Sequence, residues 1–286
     1  MGTKNTPEVI GQSRGLVSSW TYLPDYNLLF DAGDGVATSL GIRSGSIAHI
    51  VLTHAHFDHV GGLAALLHLR SRVAPNTPVN IYTPGEHPRI NTMFSLLGKQ
   101  ARQDMNLIAV QPDKEYDIGG KRVLKAFPIR HSDISKGYLI QTPRSRLLPE
   151  FQSKSGNEIA QIRKSGIPVT HDFMHTLIAY TGDTPPLNAA EIETIKNADV
   201  LITEATFLTR AERLQEGATM HSDLETAAAD LQKANPKRAI LNHFSPRYFD
   251  KVVLKQVGNL RQDIEVILGS EIITPDAPKL AHDIDR

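Results

Sequence analysis

The sequence predicts an α/β fold, a four-layer αββα sandwich of two facing sheets with helices outside. Two observations point there. Strand-like runs come first, then strands alternating with helices, then a second such series, and facing sheets covered by helices bury the apolar faces this order creates. Side chains with metal and acid–base chemistry also recur where predicted strands end, and α/β folds gather such groups along one rim.

Taken in order, β-branched or alternating runs mark strands at residues 8–10, 27–30, 47–52, 79–82, 122–128, 137–141, 176–180, 200–203 and 239–241. Helix-like stretches lie at 62–70, 189–196 and 224–234, the last with Ser222 or Asp223 as its N-cap. Between about 143 and 172 the period is lost, and Arg144, Arg146, Lys154, Arg163 and Lys164 stand against Glu150 and Glu158. A loop of that length in a compact domain is functional or disordered. The last dozen residues, from about Pro275, read as a polar tail. A single domain over 1–286 is expected, with the 143–172 segment as an arm or loop.

With 286 residues the chain can bury a large core without cross-links. The lack of cysteine excludes a thiol nucleophile, an iron–sulfur cluster and a Cys-ligated zinc. Lys+Arg and Asp+Glu both total 31, so no net charge draws the chain to nucleic acid or to an anionic membrane. A nucleic-acid binder would need a local basic patch. The first residues lack the apolar core of a signal peptide, and no apolar run approaches the roughly 18 residues that span a bilayer. A cytoplasmic protein without a membrane segment is expected.

The strongest chemical signal is His54-Ala55-His56-Phe57-Asp58-His59, followed by Val60-Gly61-Gly62. On extended backbone, residues two apart share a side, so His54 and His56 can grip one ion together. The chain then turns, and Asp58 and His59 can face a second ion. Imidazole and carboxylate suit zinc, and also manganese or iron. His131, Asp183, Glu204 and His243 each fall at the end of a predicted strand. One such residue is ordinarily a satisfied surface or core group; four beside a six-residue cluster are a site. The histidines His49, His68, His87, His171, His175 and His282 carry no spacing signal and read as structural or surface residues. Gly61 and Gly62 read as room for close helix packing.

The pattern HxHxDH with later His131, Asp183 and His243 resembles the metallo-β-lactamase fold superfamily. Further segments narrow it: Arg130-His131-Ser132, Thr181-Gly182-Asp183-Thr184, Glu204-Ala205-Thr206-Phe207, His221-Ser222 and His243-Phe244-Ser245-Pro246-Arg247-Tyr248. In this order they resemble the ribonuclease Z branch, the tRNA 3′-processing endonucleases, over roughly residues 27–248.

That resemblance implies a metallo-β-lactamase-type sandwich holding two divalent metal ions, zinc first, with manganese or iron as alternatives. One ion would take His54, His56 and His131, the other Asp58, His59 and His243, and Asp183 would bridge them. Asp58, Glu204 and His221 form the implied catalytic set, the last two as an acid pair that protonates the leaving ribose oxygen. A carboxylate beside an imidazole holds its tautomer and raises its basicity, so the pairing is sound chemistry. Precursor tRNA is the implied substrate and a homodimer the implied assembly. Arg247 suits either a substrate phosphate or a loop ion pair. The family's long tRNA-gripping arm carries a Gly-Pro motif; Gly166-Ile167-Pro168-Val169 has none, and the insertion is short.

Two function classes remain. One is an RNA phosphodiesterase acting on precursor tRNA, supported by the motif order and the five basic residues of the 143–172 segment. The other is a hydrolase of small phosphodiesters, carboxylic esters or aryl sulfates, supported by the zero net charge and the missing Gly-Pro arm. The full set of ligands and proton-transfer groups argues against a non-enzymatic metal-binding role. The absence of cysteine excludes the β-lactamases with a cysteine ligand, and Glu204-Ala205-Thr206-Phe207 points away from the rest.

Overall fold

The structure, a computed structural model, describes residues 7–261, 263–269 and 272–273. One sheet runs β1 (Ile10–Arg14), β2 (Ser18–Leu23), β3 (Leu28–Phe30), β4 (His49–Val51), β5 (Val79–Thr83) and β6 (Met105–Ala109), each strand beside the next. The other runs β7 (Glu115–Asp117), β8 (Val123–Pro128), β9 (Lys136–Leu147), β10 (Thr170–Tyr180), β11 (Val200–Glu204), β12 (Arg238–Asn242), β13 (Ile264–Ile267) and β14 (Ile272–Ile273), again in sequence order. Strands β3 to β6 and β10 to β13 are parallel, and the remaining neighbours are antiparallel.

Alternate residues of each central strand serve two cores, because successive side chains on a strand point to opposite faces. Val51, Val200, Ile202 and Ile240 face the seam between the sheets, where Phe30 stacks on Tyr180 at 4.4 Å between ring centroids. Ile50 instead meets the helices outside the first sheet, Leu63–Val73 and Pro88–Ser95, through Leu63, Leu66, Ile90 and Phe94. Leu201 and Leu241 meet Ala189–Ile195, Leu224–Ala234 and Asp250–Leu260 on the far side. Three apolar seams between four layers are the expected αββα sandwich. Both faces of the central parallel strands β3, β4, β11 and β12 are therefore buried, and such strands read as continuous apolar runs.

The expected strands fall in this order with shifted ends. The run at 8–10 meets β1 only at Ile10, because pairing with β2 draws the strand on to Arg14. Strand β2 itself gave no alternation: Ser18, Ser19 and Thr21 are buried beside Trp20, Tyr22 and Leu23. Short or edge strands β6, β7 and β14 gave no signal either, and nor did β13. Helix Leu224–Ala234 has the expected bounds, and Asp223 is its N-cap, accepting from the Thr226 N–H.

The 143–172 segment is more regular than an irregular loop. Strands β9 and β10 run on past Gln141 as a hairpin in register to Leu147 and Thr170, with helix Gly156–Lys164 at its tip. That helix starts with a capping box, Ser155 and Glu158 bonding each other's backbone N–H groups. Beyond residue 142 the hairpin is mostly exposed on both faces, so no apolar alternation was required of it. Cross-strand pairs hold it instead: Ser145 bonds Asp172, and the Arg146 guanidinium lies 5.1 Å from the Phe173 ring centre. The expected tail from Pro275, with His282, lies outside the described residues. Among the described residues no helix is long and apolar enough to cross a membrane.

Candidate metal centre

The functional groups share one rim. Asp31 follows β3, the His54–His59 segment follows β4, His131 follows β8, Asp183 follows β10, Glu204 ends β11 and His243 follows β12. Strand β8 is antiparallel to β9, and β9 to β10, so β8 points the same way as β10 to β12. Close backbone contact brings the first-sheet loops together: a Cβ on Gly62 would fall 2.2 Å from the Gly33 oxygen, and one on Gly33 2.3 Å from the Asp58 oxygen. Only glycine fits at either place. Asp31 and His243 turn out of their strands through left-handed backbone, φ 56° and 60°, a strain that persists where surroundings enforce it.

The ligand atoms divide into two adjoining groups. His54, His56, His131 and Asp183 have donor atoms within 4.8 Å of one another, and so do Asp58, His59 and His243. In the first, His131 Nε2 lies 3.1 Å from His56 Nδ1, and His54 Nε2 lies 3.7 Å from Asp183 Oδ2. In the second, His243 Nε2 lies 3.3 Å from both His59 Nε2 and Asp58 Oδ2. Asp183 reaches across: its Oδ1 is 3.3 Å from His59 Nε2 and its Oδ2 is 3.3 Å from His243 Nε2. All seven residues expected as ligands are thus brought together, in the expected two sets, with Asp183 between them.

The cluster fits metal ions. His54 Nε2 is buried and has no hydrogen-bond partner, while its Nδ1 meets the Thr53 hydroxyl at 2.9 Å. A buried donor atom without a partner costs about 1–3 kcal/mol, which a cation would offset. Four of the five imidazoles have their other nitrogen engaged: His54 by Thr53, His59 by Asp31 Oδ2 at 2.9 Å, His131 by the Met220 carbonyl at 2.8 Å, and His243 by the Thr206 hydroxyl at 3.0 Å. Such partners fix ring orientation and tautomer for ligation. Burial, reinforced by neighbouring His59, pushes His54 well below the usual imidazole range, and burial with His131 lowers His56. Neutral imidazoles are what an ion needs. Burial opposes the charge on Asp183 and Asp58. His243 and His59 nevertheless hold Asp183 well below the carboxylate range, and a hydrogen bond from His243 brings Asp58 to about 2. His59 is raised well above its usual value against burial by Asp183 and Asp31. The carboxylates call for positive charge here.

Beside this cluster Glu204 and His221 form a pair, Oε1 to Nδ1 at 2.8 Å. Glu204 is fully buried and accepts from the Thr184, Thr206 and Ser222 N–H groups at 2.8, 3.1 and 3.2 Å, so its position is fixed by backbone. Burial opposes the His221 charge, but Glu204 raises it to about 9, and His221 in turn lowers Glu204. His221 lies within reach of Asp183 and His243 as a further polar group at the same centre.

Several residues at the centre were not anticipated. Asp31 is fully buried and accepts from the Thr53 N–H at 2.8 Å while orienting His59. The Thr206 hydroxyl links Glu204 Oε2 at 2.5 Å to His243. Of the set-aside histidines, His175 pairs with Asp199 at 2.9 Å, His49 meets the Tyr82 hydroxyl at 3.3 Å, and His87 caps helix Pro88–Ser95. Arg247 forms the loop ion pair, Nη1 to Glu216 Oε1 at 2.8 Å.

Two facing sheets with this constellation on their common rim define a hydrolytic enzyme of the metallo-β-lactamase fold. The family model described as "Beta-lactamase superfamily domain" matches residues 26–244. A ribonuclease Z of Limosilactobacillus reuteri is 30% identical over 273 residues, 86% of this chain and 87% of the relative. A chloroplastic tRNase Z of Arabidopsis thaliana is 26% identical over 263 residues, 89% and 72% of the two chains. The crystal structure of the short form of human tRNase Z superposes with a TM-score of 0.62 at 20% identity, covering 94% of this chain and 99% of the other. The chain belongs to the β-lactamase superfamily, in its ribonuclease Z-like branch.

Proposed function

We propose that the protein is a binuclear metal-dependent phosphodiesterase that cleaves precursor tRNA at its 3′ end. His54, His56 and His131 would hold one ion, Asp58, His59 and His243 the other, and Asp183 both; zinc suits five imidazoles and two carboxylates, with manganese or iron as alternatives. Such a pair supplies an activated water and a clamp on the phosphate oxygens. The chain's own residues supply the proton. Glu204 favours the protonated form of His221 through Nδ1, leaving Nε2 to donate to the leaving ribose oxygen. Thr206 ties that pair to His243, so acid and metal ligand are positioned together.

The observation that carries the reading is the Glu204–His221 pair beside the seven-residue cluster. An alkoxide leaving group needs a proton, and many activated esters do not. The relatives named ribonuclease Z and tRNase Z support RNA as the substrate. A hydrolase of small phosphodiesters, carboxylic esters or aryl sulfates is the second reading, favoured by the zero net charge. Assaying the pure protein on precursor tRNA and on bis(p-nitrophenyl) phosphate side by side separates them. Cleavage of tRNA at one 3′ position supports the first; turnover of the aryl ester alone supports the second.

A further inference from the structure

The mouth of the metal cluster is partly apolar. Within the His54–His59 segment only His56 and Phe57 are exposed, and Phe57 is 60% exposed between a ligand candidate of each group, His56 and Asp58. Its ring is held against the following turn: a Cβ on Gly61 would fall 2.9 and 3.0 Å from ring atoms Cε1 and Cζ. Glycine at 61 therefore gives the ring its seat while leaving it open to solvent. Leu16 and Met220, 86% and 50% exposed, flank the same mouth. The Leu16 N–H donates to Asp58 Oδ2 at 2.8 Å, and the Met220 carbonyl accepts from His131 at 2.8 Å.

The helix packed against Phe57–Val60 carries a cation without a carboxylate. Arg89, in the first turn of helix Pro88–Ser95, is exposed and donates through Nη1 to the Ala55 carbonyl at 3.4 Å. Among the described residues it makes no ion pair. Arg130 and Arg247, also close to ligand candidates in sequence, are committed to Glu191 and Glu216. Arg89 thus keeps most of its fork of donors free while touching the carbonyl of Ala55, the residue between His54 and His56, and that planar fork matches a phosphate.

We propose that Phe57 and Arg89 form a nucleotide subsite beside the scissile phosphate. The base of the adjoining nucleotide stacks on Phe57, and that nucleotide's own phosphate is taken by Arg89. The proposal rests on the phosphodiesterase reading above and names what the substrate must carry. The nucleotide is single-stranded, because only an unstacked base offers its face to an aromatic side chain. Recognition is tolerant of base identity, since every base has a π-face.

The test uses a short single-stranded oligoribonucleotide cut by the holoenzyme, with two altered forms. One is abasic at the nucleotide next to the scissile phosphate, and the other carries a neutral methylphosphonate in place of the neighbouring phosphate. Phe57→Ala should raise KM on the normal oligonucleotide about tenfold, the scale of one lost base stack. It should add little to the loss already caused by the abasic change. Arg89→Gln should raise KM by about the same factor and flatten the salt dependence of kcat/KM by about one log unit per log unit. Its loss should merge with that of the methylphosphonate, and Arg89→Lys should restore the salt slope. Losses that multiply, instead of merging, would assign both residues a structural role and overturn the subsite. So would a Phe57→Ala defect confined to aryl phosphodiesters, which would place the ring against a small leaving group. Should the unaltered protein cut neither precursor tRNA nor the oligonucleotide, the phosphodiesterase reading on RNA fails first, before any variant is made; cleavage of precursor tRNA but of no oligonucleotide would overturn the single-stranded subsite alone.

Discussion

His221 Nδ1 lies 2.8 Å from Glu204 Oε1, and that carboxylate is completely buried and held by three backbone N–H groups. A rigid buried carboxylate against a part-exposed imidazole makes an acid with one free nitrogen. His221→Ala should keep its metal content and slow cleavage where the leaving group is an alkoxide, by roughly 10²–10⁴-fold. Bis(p-nitrophenyl) phosphate, with a leaving group that needs little protonation, should lose far less. Equal slowing on both, measured by steady-state kinetics, counts against His221 as the acid.

The same pair sets a pH dependence of stability in chelator-treated protein. His221 is raised from 6.5 to about 9, so its contribution is fully present below 6.5 and is lost as pH rises through 9. Glu204 is lowered from 4.5, so its contribution is present above 4.5 and is lost as pH falls further. The Tm difference between wild type and His221→Ala should therefore be largest between 4.5 and 6.5 and shrink towards pH 9 and above. A constant difference across that range contradicts the ion pair.

Asp31 acts through His59. Its Oδ2 fixes the His59 ring and its Oδ1 accepts from the Thr53 N–H and hydroxyl, and that hydroxyl meets His54 Nδ1. Asp31→Asn, nearly the same shape, should weaken metal binding by about 10–100-fold, the usual effect of losing such a partner. Competition with a chromogenic chelator reads this directly. Unchanged affinity in a folded variant makes Asp31 a structural residue only.

The hairpin beyond residue 142 offers Lys154, Arg163 and Lys164 exposed near its tip helix, whereas Arg144 is drawn to Asp199 at 3.7 Å. Replacing the three with Ser should raise KM for tRNA and lower its salt slope by about one for each phosphate no longer neutralised. Arg144→Ser should act mainly on stability at the hairpin base. Loss of both tRNA and aryl phosphodiester turnover in the triple variant would show that the hairpin supports the metal centre and does not hold RNA.

Much of the cluster was legible because a candidate ligand set calls for particular side chains. His54, His56, Asp58 and His59 stand in six residues, and His131, Asp183 and His243 each end a strand that the apolar pattern revealed. Asp31 obeys the same strand-end rule, but the sequence gives no reason to prefer it to Asp34 three residues on. Thr206 was illegible as a link because a hydroxyl has no ligand spacing of its own. Phe57 and Arg89 act by exposure and by the lack of an ion pair, neither of which a linear pattern shows. The fold followed the same division. Buried strands such as β11 and β12 carry apolar runs, whereas β2 buries hydroxyls and the outer hairpin is solvated on both faces.

Hydrolysis should depend on a binuclear metal site formed by these seven residues. Protein stripped with a chelator and titrated with zinc, while hydrolysis of bis(p-nitrophenyl) phosphate is followed, tests it most directly. Activity should be absent at the start and level off at about two equivalents per chain, and Asp183→Ala should restore none at any zinc level. Full turnover by the stripped protein, or near wild-type turnover by Asp183→Ala, would contradict that dependence.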